Sequence, residues 1–66
     1  MTALEKQIYD LLSARWPGGT LGVRELKQIT GAVASDIIGA LRRMDEVNLV
    51  CQPEPGRWAL APRKAA

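Results

Sequence analysis

Hydrophobic and polar positions alternate with helical spacing from the start of the chain. Leu4, Ile8, Leu11 and Leu12 fall on one face of a helix predicted from Thr2 to about Arg15. Thr2, followed three residues later by Glu5, has the form of a capping box and sets the helix start. Lys6 and Asp10 stand one turn apart on the polar side. Trp16-Pro17-Gly18-Gly19 ends the helix, because proline cannot continue it and glycine frees the backbone to turn.

Thr20-Leu21-Gly22-Val23 is enough for one stub of strand. A compact helix follows from about Val23 to Thr30, with Val23, Leu26 and Ile29 expected on its inner face. Gly31 sits just past its end, where a left-handed residue is usual. A third helix is predicted from Ala34 to Glu46, with Ala34, Ile37, Ile38, Leu41 and Met44 facing inward. Two helices joined by so tight a turn form a helix-turn-helix candidate. The period then changes. Leu49-Val50-Cys51-Gln52 and Arg57-Trp58-Ala59-Leu60 read as two strands. Pro53-Glu54-Pro55-Gly56 is assigned to the connection between them, since proline cannot donate to a sheet ladder. Residues 1–60 make one domain, and 61–66 a flexible tail.

Composition narrows the chemistry. At 66 residues the chain buries only about 60% of the surface its unfolded form exposes, so its stability margin is thin. There is no histidine, and the single Cys51 can build neither an internal disulfide nor a metal site. Ser13 and Ser35 have no histidine to activate them, and Gly18, Gly19 and Gly22 lack the lysine and hydroxyl residue of a phosphate loop. The expectation is a protein that is not an enzyme, needs no cofactor or metal, has no membrane-spanning segment and works in the cytoplasm. The net charge of +2 arises entirely from Arg63 and Lys64, because seven basic and seven acidic residues balance through Leu60. Bulk electrostatics therefore argue only weakly for a nucleic-acid partner.

From Ile8 to Leu60 the order of elements resembles the winged helix-turn-helix superfamily: helix, strand stub, helix, helix and a two-stranded hairpin, mainly α with a small β wing. Thr20 to Leu26 resembles the stub leading into the second helix. Ile37 through Met44, followed by Val47-Asn48-Leu49-Val50, resembles the recognition helix running into the first wing strand. Asn48 stands where these families usually carry glycine, and asparagine tolerates positive φ. Gly56 to Leu60 resembles the returning strand. Pro55 and Trp58 are also loosely similar to the wing of domains that bind left-handed duplexes. The third helix, however, lacks those domains' polar readers.

The resemblance implies that the outward stripe of the third helix, Ser35, Gly39, Arg42 and Glu46, faces a DNA major groove. Asp36 and Arg43 flank the stripe, and Arg57 would reach phosphate or the minor groove from the wing. Ser35, Asp36, Gly39, Arg42, Arg43 and Arg57 are thus the candidate DNA-binding residues. The expected function is a small stand-alone transcriptional regulator of bacterial or phage type, binding double-stranded DNA as a homodimer. The alternative is a winged-helix module that binds another protein, since one scaffold serves both uses. Trp16 and Trp58 are expected at the core or its edge, and Cys51 as a small apolar residue under the wing.

Overall fold

The computed structural model describes residues 1–62; Arg63 and Lys64 lie outside the described residues. The elements are α1 (Ala3–Ser13), β1 (Leu21–Gly22), α2 (Val23–Thr30), α3 (Ala34–Glu46), β2 (Val50–Glu54) and β3 (Arg57–Leu60). Three helices pack with a three-stranded antiparallel sheet of order β1-β3-β2. The expected hairpin of β2 and β3 is therefore one strand short. The stub β1 pairs with β3 through Leu21 opposite Trp58 and Gly22 opposite Arg57, which makes β3 the central strand. Among the described residues, no helix is long and apolar enough to cross a membrane.

Local chemistry explains the element boundaries. The Thr2 hydroxyl accepts from the Glu5 backbone N–H at 3.1 Å and caps α1. Gly31 ends α2 at φ 74°, a left-handed conformation that costs glycine nothing, and its N–H donates to the Lys27 carbonyl. Asn48 turns the chain from α3 into β2 at φ 61°. The Met44 carbonyl then accepts from the Leu49 N–H at 2.9 Å, and the Ala61 N–H donates to the Leu49 carbonyl at 3.1 Å.

The core unites every helix with β1 and β2. Ile8 and Leu12 of α1, Leu21, Leu26, Ile37, Leu41, Met44 and Val50 are each almost wholly buried. Removing that area from water is the main stabilising term for a domain with so little interior. Trp58 packs against this cluster from one edge, as expected, and half-buried Cys51 lies in β2.

Three expectations are corrected. Ile29, expected on the inner face of α2, is 46% exposed, because it lies on the flank of the arc centred on Leu26. Ile38, expected inward with Ile37, is 45% exposed. At about 100° per residue it stands well off the arc of Ile37, Ala40, Leu41 and Met44. Pro53, expected in the connection, lies inside β2. It is accommodated because β2 is an edge strand and because the register shifts there: Cys51 pairs with Ala59 and Glu54 with Arg57, so two residues oppose one.

Candidate functional site

The long exposed face of α3 is the surface that the fold presents most cleanly. Its inner arc is buried, which turns Ser35, Ile38, Arg42 and Glu46 outward, with Gly39 half-buried among them. Asp36 is exposed in the first turn, where a carboxylate suits the positive end of the helix dipole. Arg42 makes no hydrogen bond or ion pair among the described residues. The structure therefore brings Ser35, Gly39 and Arg42 together on one open surface.

Gly39 is unusual because its own fold does not require it. A Cβ placed there would meet only the Arg43 Nη1, at 3.5 Å, an ordinary contact. Alanine would fit and would favour the helix by roughly 1 kcal/mol. The chain thus carries a helix-weakening residue at mid-helix without an internal packing reason.

The two remaining candidate arginines are held by the fold. The Arg43 Nε donates to Glu5 Oε1 at 3.2 Å and ties α3 to the first turn of α1. The same Glu5 oxygen accepts from the Thr2 hydroxyl at 3.0 Å. Burial pushes the Glu5 carboxyl up, but the hydrogen bonds from Thr2 and Arg43 together outweigh it and hold the group below its ordinary value of 4.5. Arg43 is therefore anchored at its Nε, although its outer face remains open to solvent.

Arg57 is committed further. Its Nε donates to the Thr20 hydroxyl and its Nη2 to the Thr20 carbonyl, both at 3.1 Å, while its Nη1 donates to Glu25 Oε1. Glu25 also accepts from the Gly22 N–H at 3.0 Å, so one carboxylate joins the start of α2 to β3. That backbone hydrogen bond, and then Arg57, hold the Glu25 carboxyl below 4.5. Three of the five guanidinium N–H groups thus serve the fold, leaving two for any outside contact. Sequence reasoning missed this clamp, since Thr20 and Glu25 lie 37 and 32 residues from Arg57 and no local pattern links them.

A second concave feature lies elsewhere. Trp16, expected at the core or its edge, is instead 48% exposed and outside the core cluster. With Tyr9, Ser13, Asn48, Leu49 and Leu60 it lines an open groove of about 990 Å³ between α1, the α3–β2 connection and the end of β3. No residue of the exposed α3 face contributes to it. No protein-family profile matches the chain, and no curated protein matches it closely enough to serve as a relative.

Proposed function

We propose that the chain is a winged helix-turn-helix protein that binds double-stranded DNA, with the exposed face of α3 in the major groove. The observation that carries this reading is Gly39. A glycine that the chain's own packing does not need, in the middle of an open helix face, is accounted for by an outside surface that approaches the backbone closely. Element order and sheet order support the reading, as does the tight Gly31 turn that sets α2 against α3. Ser35 and Arg42 would contact base edges, with Arg42 suited to guanine O6 and N7. Arg57 chiefly holds the wing to α2 and so sets the angle at which the wing meets the duplex. Transcriptional regulation follows as the role, and a homodimer as the working form, because one module with few available cations gains affinity from two half-sites.

The test is a titration of the ¹⁵N-labelled protein with a mixed-sequence duplex at two salt concentrations. Amide shifts clustered from Ser35 to Arg43, fading with salt, are the expected result. With Arg43 and Arg57 retained in their internal pairs and Arg42 turned to a base edge, few cations are left for phosphate, so the log–log salt slope should be shallow. No shifts even at low salt would overturn the proposal. The second reading, a protein-binding module, is favoured by the Trp16 groove. It predicts shifts at Tyr9, Trp16 and Leu49 on addition of a partner, with the α3 face unmoved.

A further inference from the structure

The α3 face contains an apolar side chain to which DNA binding as described above gives no role. Ile38 is 45% exposed and stands outside the core cluster. It sits one turn after Ala34 and Ser35 and one turn before Arg42, on the same open arc as Gly39. The core cluster is complete without an isoleucine here. Its β-branch also makes it a weaker helix former than alanine or leucine. The only apolar group that a base pair displays in the major groove is the C5 methyl of thymine.

We infer that Ile38 is a specificity-determining residue that packs on a thymine methyl, while Arg42 reads a guanine beside it. The inference rests on the DNA-binding reading above. Its geometry follows from helix dimensions. Four residues advance about 6 Å along a helix, and a base-pair step advances about 3.4 Å. Two side chains at i and i+4 on a helix lying along the groove therefore address positions about two steps apart. Gly39 lies between them and lets the backbone approach so that Ile38, whose side chain is shorter than that of Arg42, still reaches the base. The recognised half-site thus contains a thymine within about two steps of a G·C pair. Ser35, which can pair with either kind of base edge, adds little discrimination.

The experiment is selection of bound sequences from a random duplex pool, followed by replacement of the enriched thymine with deoxyuridine. That replacement removes the methyl group and leaves the hydrogen-bonding pattern intact. The wild-type protein is expected to bind the uracil duplex about fourfold more weakly, the effect of exposing one methyl group. Ile38→Ala is expected to bind the two duplexes equally, with its fold checked by circular dichroism. The deoxyuridine comparison on the wild-type protein needs no variant and stands even if Ile38→Ala folds poorly. Enriched sites without a thymine near the guanine, or equal wild-type affinity for the two duplexes, would overturn the role of Ile38 and leave DNA binding intact. A pool retained without enrichment would overturn the role of Ile38, and a pool not retained at all even at low salt would overturn DNA binding and that role with it.

Discussion

Replacing Gly39 with alanine separates what the fold needs from what an outside surface needs. The new Cβ meets only the end of a flexible side chain, Arg43 Nη1 at 3.5 Å, so no clash opposes the gain in helix propensity. Gly39→Ala should therefore stabilise the protein by about 1 kcal/mol. In a domain of this size that raises the midpoint of thermal unfolding by about 4–8 °C. Circular dichroism at 222 nm measures it directly. The same methyl group stands on the face proposed to enter the groove, where it would hold the helix backbone away from the bases. Breaking a bidentate hydrogen-bonded pairing with a base costs about 1–3 kcal/mol, so affinity for a selected duplex should fall by roughly fivefold or more. Fluorescence anisotropy with a labelled duplex reads that weakening. A variant no more stable than wild type would refute the packing argument. A variant that is more stable and binds DNA equally well would remove the main support for the proposed function.

Leu41→Ala should cost about 2–5 kcal/mol, because Leu41 is fully buried at the centre of α3; urea unfolding checks it, and wild-type stability would mean that Leu41 is not core. Arg42→Ala should weaken DNA binding at unchanged stability, whereas Arg43→Ala should lower the melting temperature by freeing Glu5 from its partner; a melting scan beside an anisotropy titration separates the two, and the reverse pattern would refute the assignment. Acid should also destabilise the fold. Glu5 and Glu25 are both held below 4.5, so their contribution is complete above that value and is lost as pH falls through the lower folded values. Thermal melts from about pH 5 to about pH 2 should fall more steeply for wild type than for Glu5→Gln combined with Glu25→Gln, and parallel curves would show that the two carboxylates do not contribute.

Much of the fold was legible locally, and the reasons are particular. Thr2 and Glu5 mark the start of α1 because the cap is made within one turn. Gly31 and Asn48 mark chain reversals because positive φ is selective for glycine and asparagine. The bounds of α3 match those expected from its apolar spacing, since Ile37, Leu41 and Met44 recur with the helical period. Of the candidate site, the open stripe of Ser35, Gly39, Arg42 and Glu46 followed from the same spacing. The engagement of Arg43 and Arg57 did not, because their partners stand 38 and more than 30 residues away. Ile38 was not legible because a run of two isoleucines does not itself reveal where the buried arc ends.

The sequence alone determined the periodicities, caps and turns, each of which depends on groups within about four residues of one another. The tertiary structure decided which apolar residues the core admits, leaving Ile29, Ile38 and Trp16 partly in water. It also decided that the stub β1 joins β3 as a third strand and that Pro53 lies on an edge at a bulge, since strand neighbours are set by packing across the whole chain. Above all, it divided the arginines. Arg43 and Arg57 bind carboxylates brought close only by the folded chain, while Arg42 is left open on the face where a partner would meet it.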